Sequence, residues 1–146
     1  DRAELTPPRP GPPYVRGRPD LNLARPRRGE IWELDLNARK GRKSQQGVRP
    51  CLVVSADALN TSAFGTIVVC QITTRERPLF RWRPALGPED VSPADPSWRA
   101  EPNWVVTDQI VTVDSRARAK RHVATVQSKA KMKEVDDSLR MMLPLG

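Results

Sequence analysis

Two arginine-rich stretches carry the chemistry that this sequence can offer. Neither contains an acidic residue: the first comprises Arg39, Lys40, Arg42 and Lys43 with Arg49 close behind, and the second Arg116, Arg118, Lys120 and Arg121. The planar guanidinium group stays charged at neutral pH and grips phosphate oxygens in a bidentate manner. Loop cations next to strand ends, with aromatic rings nearby, are typical of a groove for single-stranded nucleic acid. The candidate rings are Trp32, Phe80, Trp82 and Trp98, and for each of them a role as a core anchor is the favoured alternative, with Trp98 expected to be the most exposed.

RNA brings its own nucleophile, the 2′-hydroxyl group. Its cleavage needs a base near the 2′-oxygen, positive charge on the phosphorane-like transition state and an acid for the leaving 5′-oxygen. None of these tasks requires a metal ion. The sequence has one histidine, His122, no spacing typical of metal ligands and no glycine-rich phosphate loop. We therefore expect neither a metal site nor a cofactor.

The bulk properties favour a polyanionic partner. The net charge is +8 and the pI about 10.3. About half of that excess lies in the first 28 residues, so composition alone is a weak argument. Cys51 and Cys70 stand in apolar runs and are expected to be buried, reduced thiols, which suits the cytoplasm. No apolar run approaches the roughly 18 residues of a membrane helix, and no signal-peptide pattern is present, so we expect no membrane association.

The pattern along the chain predicts one mainly β domain with a C-terminal helix. Residues 1–27 hold seven prolines and few large apolar residues, which predicts a flexible arm preceding a domain over 28–146. Short alternating or β-branched runs predict strands at 31–36, 51–55, 66–73, 79–83, 104–113 and 123–126, with a long loop over 84–103. After Ser128, a plausible N-cap, helical spacing places Met132, Val135, Leu139 and Met142 on one face. Such an order fits a small, curved antiparallel sheet or barrel.

The order of several motifs resembles the MazF/PemK family of toxin endoribonucleases over about residues 28–143. Segment 28–32 reads RGEIW, 46–55 reads QGVRPCLVVS, 67–74 reads IVVCQITT, 107–114 reads TDQIVTVD and 134–136 reads EVD. The resemblance implies an SH3-like barrel with a C-terminal helix, shared also by CcdB-like proteins, and usually a homodimer. It implies a toxin that cuts single-stranded RNA, such as mRNA, at short sequences, leaving 2′,3′-cyclic phosphate and 5′-hydroxyl ends. A cognate MazE-like antitoxin would cover the active site.

The resemblance also implies roles for individual residues. Arg49 matches the family's catalytic arginine, and Thr73 matches its catalytic threonine, which would hydrogen-bond the scissile phosphate. For Arg49 the alternative is a salt bridge at a barrel corner, and for Thr73 an ordinary strand threonine. The expected substrate-binding residues are Arg39, Lys40, Arg42, Lys43, Gln45, Ser55, Thr74, Arg75, Asp108 and Gln109.

One departure from the family concerns the general base. Many members carry a glutamate just before the arginine, whereas the matching stretch here, 43–46, reads KSQQ. The base is therefore unassigned, and a non-catalytic nucleic-acid-binding module on the same barrel stays open. A CcdB-like gyrase poison is a further alternative, but the chain ends LPLG without the tryptophan that such a function uses.

Overall fold

A computed structural model describes residues 25–36 and 47–144 of the chain. They form seven strands, two single-turn α-helices, one 3₁₀ turn and one long C-terminal helix. The strands are β1 (Glu30–Asp35), β2 (Val48–Val53), β3 (Thr66–Thr73), β4 (Ala85–Leu86), β5 (Val91–Pro93), β6 (Asn103–Asp114) and β7 (Ala119–Val126). The helices are α1 (Asp57–Asn60), α2 (Ser115–Arg118) and α3 (Lys129–Met142), and the 3₁₀ turn is Pro88–Asp90. None of the helices in this described part is long and apolar enough to cross a membrane.

The seven strands form one antiparallel sheet in the order β4-β6-β3-β2-β1-β7-β5. The two edge strands, β4 and β5, are joined by only four residues, 87–90. Four residues span at most about 14 Å, so the two edges must approach each other and the sheet curls into a nearly closed barrel. The expected small barrel with a C-terminal helix is confirmed.

Apolar side chains from alternate strand positions fill both faces of the curled sheet. One cluster includes Leu52, Cys70 and Val135 of α3, and the other includes Leu34 and Cys51. Both cysteines are free and fully buried, as expected, and burial raises the pKa of each thiol to about 12. Because the register pairs Cys51 with Gln71 and Leu52 with Cys70, the two thiols lie on opposite faces.

Helix α3 closes the first cluster and begins where the sequence predicts. The Ser128 side chain accepts a hydrogen bond from the Lys131 backbone N–H, so it is the N-cap. Further along, the buried Ser138 hydroxyl donates to the Trp82 carbonyl oxygen at 2.5 Å and lies 2.6 Å from the Thr107 hydroxyl. The helix thus ties the connection after β3 to strand β6.

Two segments differ from the sequence-based expectation. The predicted strand at 79–83 is wrong: the Phe80 N–H bonds to the Arg77 carbonyl and the Arg83 N–H to the Phe80 carbonyl, which makes consecutive turns. The predicted loop 84–103 contains β4, the 3₁₀ turn and β5. These short edge strands close the barrel, and their two or three residues are too few for a periodic signal.

The start of the fold packs firmly on the barrel. Pro26 is buried, and the Arg25 guanidinium donates to the Thr61 carbonyl at 2.6 Å. The Arg28 guanidinium binds both carboxylate oxygens of Asp136 on α3. Residues 25–27, assigned to the arm from the sequence, are therefore part of the folded region, and the rest of that arm lies outside the described residues.

Candidate functional site

A cleft of about 730 Å³ opens where β2 begins and β3 ends. Antiparallel pairing of β2 with β3 ends at Cys51 and Gln71, and exposed Arg49 and half-buried Thr73 lie two residues beyond that pair, both on the cleft. Strand positions two apart share a face, so Arg49 and Thr73 project on the same side as Cys51 and Gln71. The two residues matched to the family's catalytic pair therefore line one cleft, although they lie 24 positions apart in sequence.

Positive charge dominates the described lining of this cleft. Four arginines contribute to it, and none of the described residues lining it is acidic: the arginines are Arg49, Arg75, Arg77 and Arg83. Like charges gathered around a concave surface focus a positive potential and favour an anionic ligand. The remaining lining residues are Gln71, Thr73, Thr74, Phe80, Val106 and Gln109.

The Thr73 hydroxyl is held in a defined orientation. Its Oγ1 accepts a hydrogen bond from the Arg75 backbone N–H at 3.1 Å. A hydroxyl has one donor and two acceptor positions, so this bond uses a lone pair and leaves the proton available. The arrangement suits donation to a phosphate oxygen in the cleft.

Asp108 stands behind the cleft wall and organises it. Its carboxylate accepts from Arg83 Nε at 2.7 Å, from Arg83 Nη2 at 2.8 Å and from Trp82 Nε1 at 2.9 Å. The hydrogen bond from Arg83 is the main cause that lowers the Asp108 pKa to about 2. The Arg83 guanidinium carbon lies 4.5 Å from the Phe80 ring centroid. The Phe80 ring in turn stacks on the Trp82 ring, with the two ring centroids 5.1 Å apart. We call Asp108, Phe80, Trp82 and Arg83 the aromatic clamp.

The structure brings together half of the site residues named from the sequence. Arg49, Thr73, Thr74, Arg75 and Gln109 line the cleft, and Asp108 contacts it through Arg83. Ser55 does not reach the cleft: it is buried, and its hydroxyl bonds to the Asn60 side chain. The others lie outside the described residues: Arg39, Lys40, Arg42, Lys43 and Gln45.

Sequence reasoning missed four lining residues: Gln71, Arg77, Arg83 and the apolar Val106. Arg77 follows the predicted Thr73–Arg75 segment closely enough that continuing it would have found this residue, whereas Arg83 depends on the turns at 79–83. The expectation that Trp98 is the most exposed ring is wrong, because it packs against the first core cluster, while Phe80 is 37% exposed.

The second basic stretch does not contribute to the cleft. The Arg121 guanidinium bonds to Glu33, and its pKa is raised mainly by that bond. The Arg116 guanidinium donates to the Ala63 carbonyl. His122 stacks on Trp32 with ring centroids 5.5 Å apart. Across 25–36 and 47–144, no three His, Cys, Asp or Glu side chains are grouped so as to hold a metal ion.

Known structures share this fold. MazF from Deinococcus radiodurans is 24% identical over 82% of this chain and 97% of that one, with a TM-score of 0.59. An endoribonuclease in complex with its cognate antitoxin, from a mycobacterial species, is 24% identical over 84% and 96%, with a TM-score of 0.55. Mycobacterium tuberculosis toxin MazF-mt6 is 14% identical over 80% and 98%, with a TM-score of 0.59. No curated protein matches by sequence.

At this level of identity the structural similarity establishes the fold alone. The family assignment rests on a match between this sequence and a family model. Residues 27–143 match the model of the PemK-like, MazF-like toxins of type II toxin–antitoxin systems. The match spans the barrel, helix α3 and every residue of the arginine-lined cleft. The chain therefore belongs to the PemK-like, MazF-like toxin family of type II toxin–antitoxin systems.

Proposed function

We propose that this toxin is an endoribonuclease that cuts single-stranded RNA at short sequences, without a metal ion or cofactor. The observation that carries the proposal is the meeting of Arg49 and Thr73 in one cleft with three further arginines. The cleft offers positive charge and a hydroxyl donor, which are what an RNA phosphate requires. The 2′-hydroxyl of the RNA loses its proton to solvent and attacks the adjacent phosphorus, the bond from phosphorus to the 5′-oxygen breaks, and that oxygen takes up a proton from solvent, which gives a 2′,3′-cyclic phosphate and a 5′-hydroxyl.

Arg49 and Thr73 act on the same phosphate. The Arg49 guanidinium stabilises the negative charge that grows on the phosphorane oxygens. The Thr73 hydroxyl donates to a phosphate oxygen, oriented by the N–H of Arg75. Arg75 and Arg77 neutralise neighbouring phosphates and hold the RNA in a fixed position along the cleft.

The proposed mechanism has no carboxylate as general base. Asp108 is a poor candidate, because its pKa is about 2 and its two carboxylate oxygens already accept hydrogen bonds from Arg83 and Trp82. Segment 37–46 also lacks acidic residues. Catalysis then comes mainly from stabilising the transition state, and the rate rises with pH as the 2′-hydroxyl loses its proton.

The partners follow from the family and from the charge of the cleft. We infer a cognate antitoxin that covers the cleft with a flexible segment carrying acidic side chains, which Arg49, Arg75 and Arg77 would attract, since Arg83 is already paired with Asp108. Solved family structures include complexes of MazF with MazE. We further infer a homodimer, and a cytoplasmic location, which suits the two reduced thiols.

The test is cleavage of a long RNA in EDTA, with the 5′ ends mapped. Wild-type protein should cut at a few recurring motifs, and Arg49→Ala should cut about 10²–10³-fold more slowly. Arg140→Ala is the matched control, because this exposed arginine of α3 lies outside the cleft. RNA that stays intact but remains bound would favour a non-catalytic binding module, the second candidate, which the missing carboxylate supports.

A further inference from the structure

The side chain of Gln71 contains an oxygen atom that the folded protein leaves unpaired. In residues 25–36 and 47–144, Gln71 Oε1 is the single buried side-chain oxygen or nitrogen without a hydrogen-bond partner. A buried acceptor without a partner destabilises the fold, because it has given up its hydrogen bonds to water. Protein interiors rarely contain such atoms, and a ligand is one of the few reasons to keep one.

Gln71 lies in the cleft, one step deeper along β3 than Thr73. The two residues share a face of the strand, and two residues of a strand span about 6.6 Å. Gln71 pairs with the buried Cys51, whereas Thr73 and the exposed Arg49 lie two residues beyond that pair and line the same cleft. A nucleotide whose phosphate rests on Arg49 and Thr73 can therefore extend its base, rather than its phosphate, towards Gln71.

An amide side chain is better suited to binding a nucleobase than to exchanging a proton with a reacting oxygen. A glutamine side chain is uncharged and does not titrate, so it neither takes nor gives a proton during cleavage. It does combine one acceptor with two donor positions, and rotation about its last bond exchanges them. Sequence-specific recognition of RNA uses splayed bases that stack on aromatic rings and are hydrogen-bonded along their edges. Phe80, 37% exposed, supplies a ring to the same cleft.

We propose that Gln71 determines sequence preference by hydrogen-bonding the Watson–Crick edge of the base next to the phosphate held by Arg49 and Thr73. The amide turns towards the entering base, and its unpaired oxygen accepts from an amino or imino N–H of that base. This inference rests on the proposed function only in taking RNA as the ligand. It does not require that the RNA is cut.

The experiment is a binding selection from a randomised RNA library with 2′-fluoro sugars, which lack the attacking hydroxyl. Wild-type protein, Gln71→Met and a control, Gln127→Met, are compared. Gln127 is exposed and lies outside the cleft. The Gln71→Met protein should lose its preference at one position of the enriched motif, by about tenfold, and keep the preferences at the others. Its melting temperature should not fall, because the unpaired acceptor is gone.

Other results would overturn the assignment. An unchanged motif in Gln71→Met means that the side chain does not read a base. A lower melting temperature with equal weakening at every position means that it has a structural role, and Gln71→Leu repeats the test with a second apolar side chain. If wild-type protein enriches a motif but does not cut ordinary RNA, the proposed function fails while the Gln71 result stands. If wild-type protein enriches no motif, the Gln71 proposal fails even where RNA is cut.

Discussion

Replacement of Asp108 by asparagine should loosen the aromatic clamp and destabilise the protein at neutral pH. The Asp108 pKa is lowered from 3.8 to about 2, chiefly by Arg83, and one pKa unit corresponds to 1.36 kcal/mol. The shift would amount to about 2 kcal/mol in a dry site. Because the Asp108 side chain is 24% exposed, solvent screening reduces the expected loss to about 1 kcal/mol.

The effect has a defined pH dependence. A carboxylate whose folded-state pKa is lowered contributes stability above its unfolded pKa, and loses it as pH falls through the folded value. The wild-type advantage over Asp108→Asn should therefore be complete above about pH 5 and disappear between about pH 4 and pH 2. A protonated aspartate is nearly isosteric with asparagine, so the two proteins should then unfold alike.

Urea unfolding at pH 7, 4 and 2.5 measures this difference. Asp137→Asn is the control, since Asp137 forms exposed pairs on α3, where the expected change is within 0.5 kcal/mol. Equal stability of Asp108→Asn and wild type at pH 7, or a difference that persists unchanged at pH 2.5, would refute the reasoning. The same variant should bind RNA more weakly, because Arg83 and Phe80 lose their fixed positions.

Three further predictions concern the cleft and the core. Thr73→Val should lower kcat by about 10²-fold in single-turnover cleavage while Thr73→Ser retains most of it, and equal rates for the two variants would contradict the hydroxyl role. The logarithm of the RNA-binding constant should fall linearly with the logarithm of the salt concentration, and Arg75→Ala or Arg77→Ala should each reduce that slope by about 0.7, measured by fluorescence anisotropy. Val135→Ala should lower the free energy of unfolding by about 2 kcal/mol, measured by urea unfolding, since this residue of α3 is fully buried against the barrel; a change below 0.5 kcal/mol would mean that the helix packs loosely.

Local signals account for the elements that the sequence predicted well. The β-branched run of β3 gives its bounds, 66–73, and Ser128 marks the start of α3 because its hydroxyl caps the first turn. At 79–83 the alternation of aromatic and arginine side chains predicts a strand, yet it arises from a turn in which Phe80 stacks on Trp82. Period-two alternation fits a strand as well as this turn. The partner that holds the turn, Asp108, is distant in sequence, so the local pattern does not reveal it.

The site depends on strand register, which a single sequence does not contain. Arg49 and Thr73 were identified through resemblance to a family, and it is the pairing of Cys51 with Gln71 that brings them together. Gln71 itself looks like an ordinary polar residue within a strand until its unpaired oxygen is located. The hydrogen-bond partners of a single side-chain atom are a property of the folded chain, so no pattern along the sequence reports them.

The chemistry of the cut ends tests the central claim most directly. An RNA oligonucleotide containing one mapped site is incubated with the protein in EDTA, and the fragments are weighed by mass spectrometry. A matched oligonucleotide carries a single 2′-deoxy sugar on the 5′ side of the scissile phosphate. We expect a 2′,3′-cyclic phosphate and a 5′-hydroxyl from the first RNA and no cleavage of the second. Cleavage of the 2′-deoxy oligonucleotide, or fragments with 3′-hydroxyl and 5′-phosphate ends, would contradict attack by the 2′-hydroxyl in this cleft.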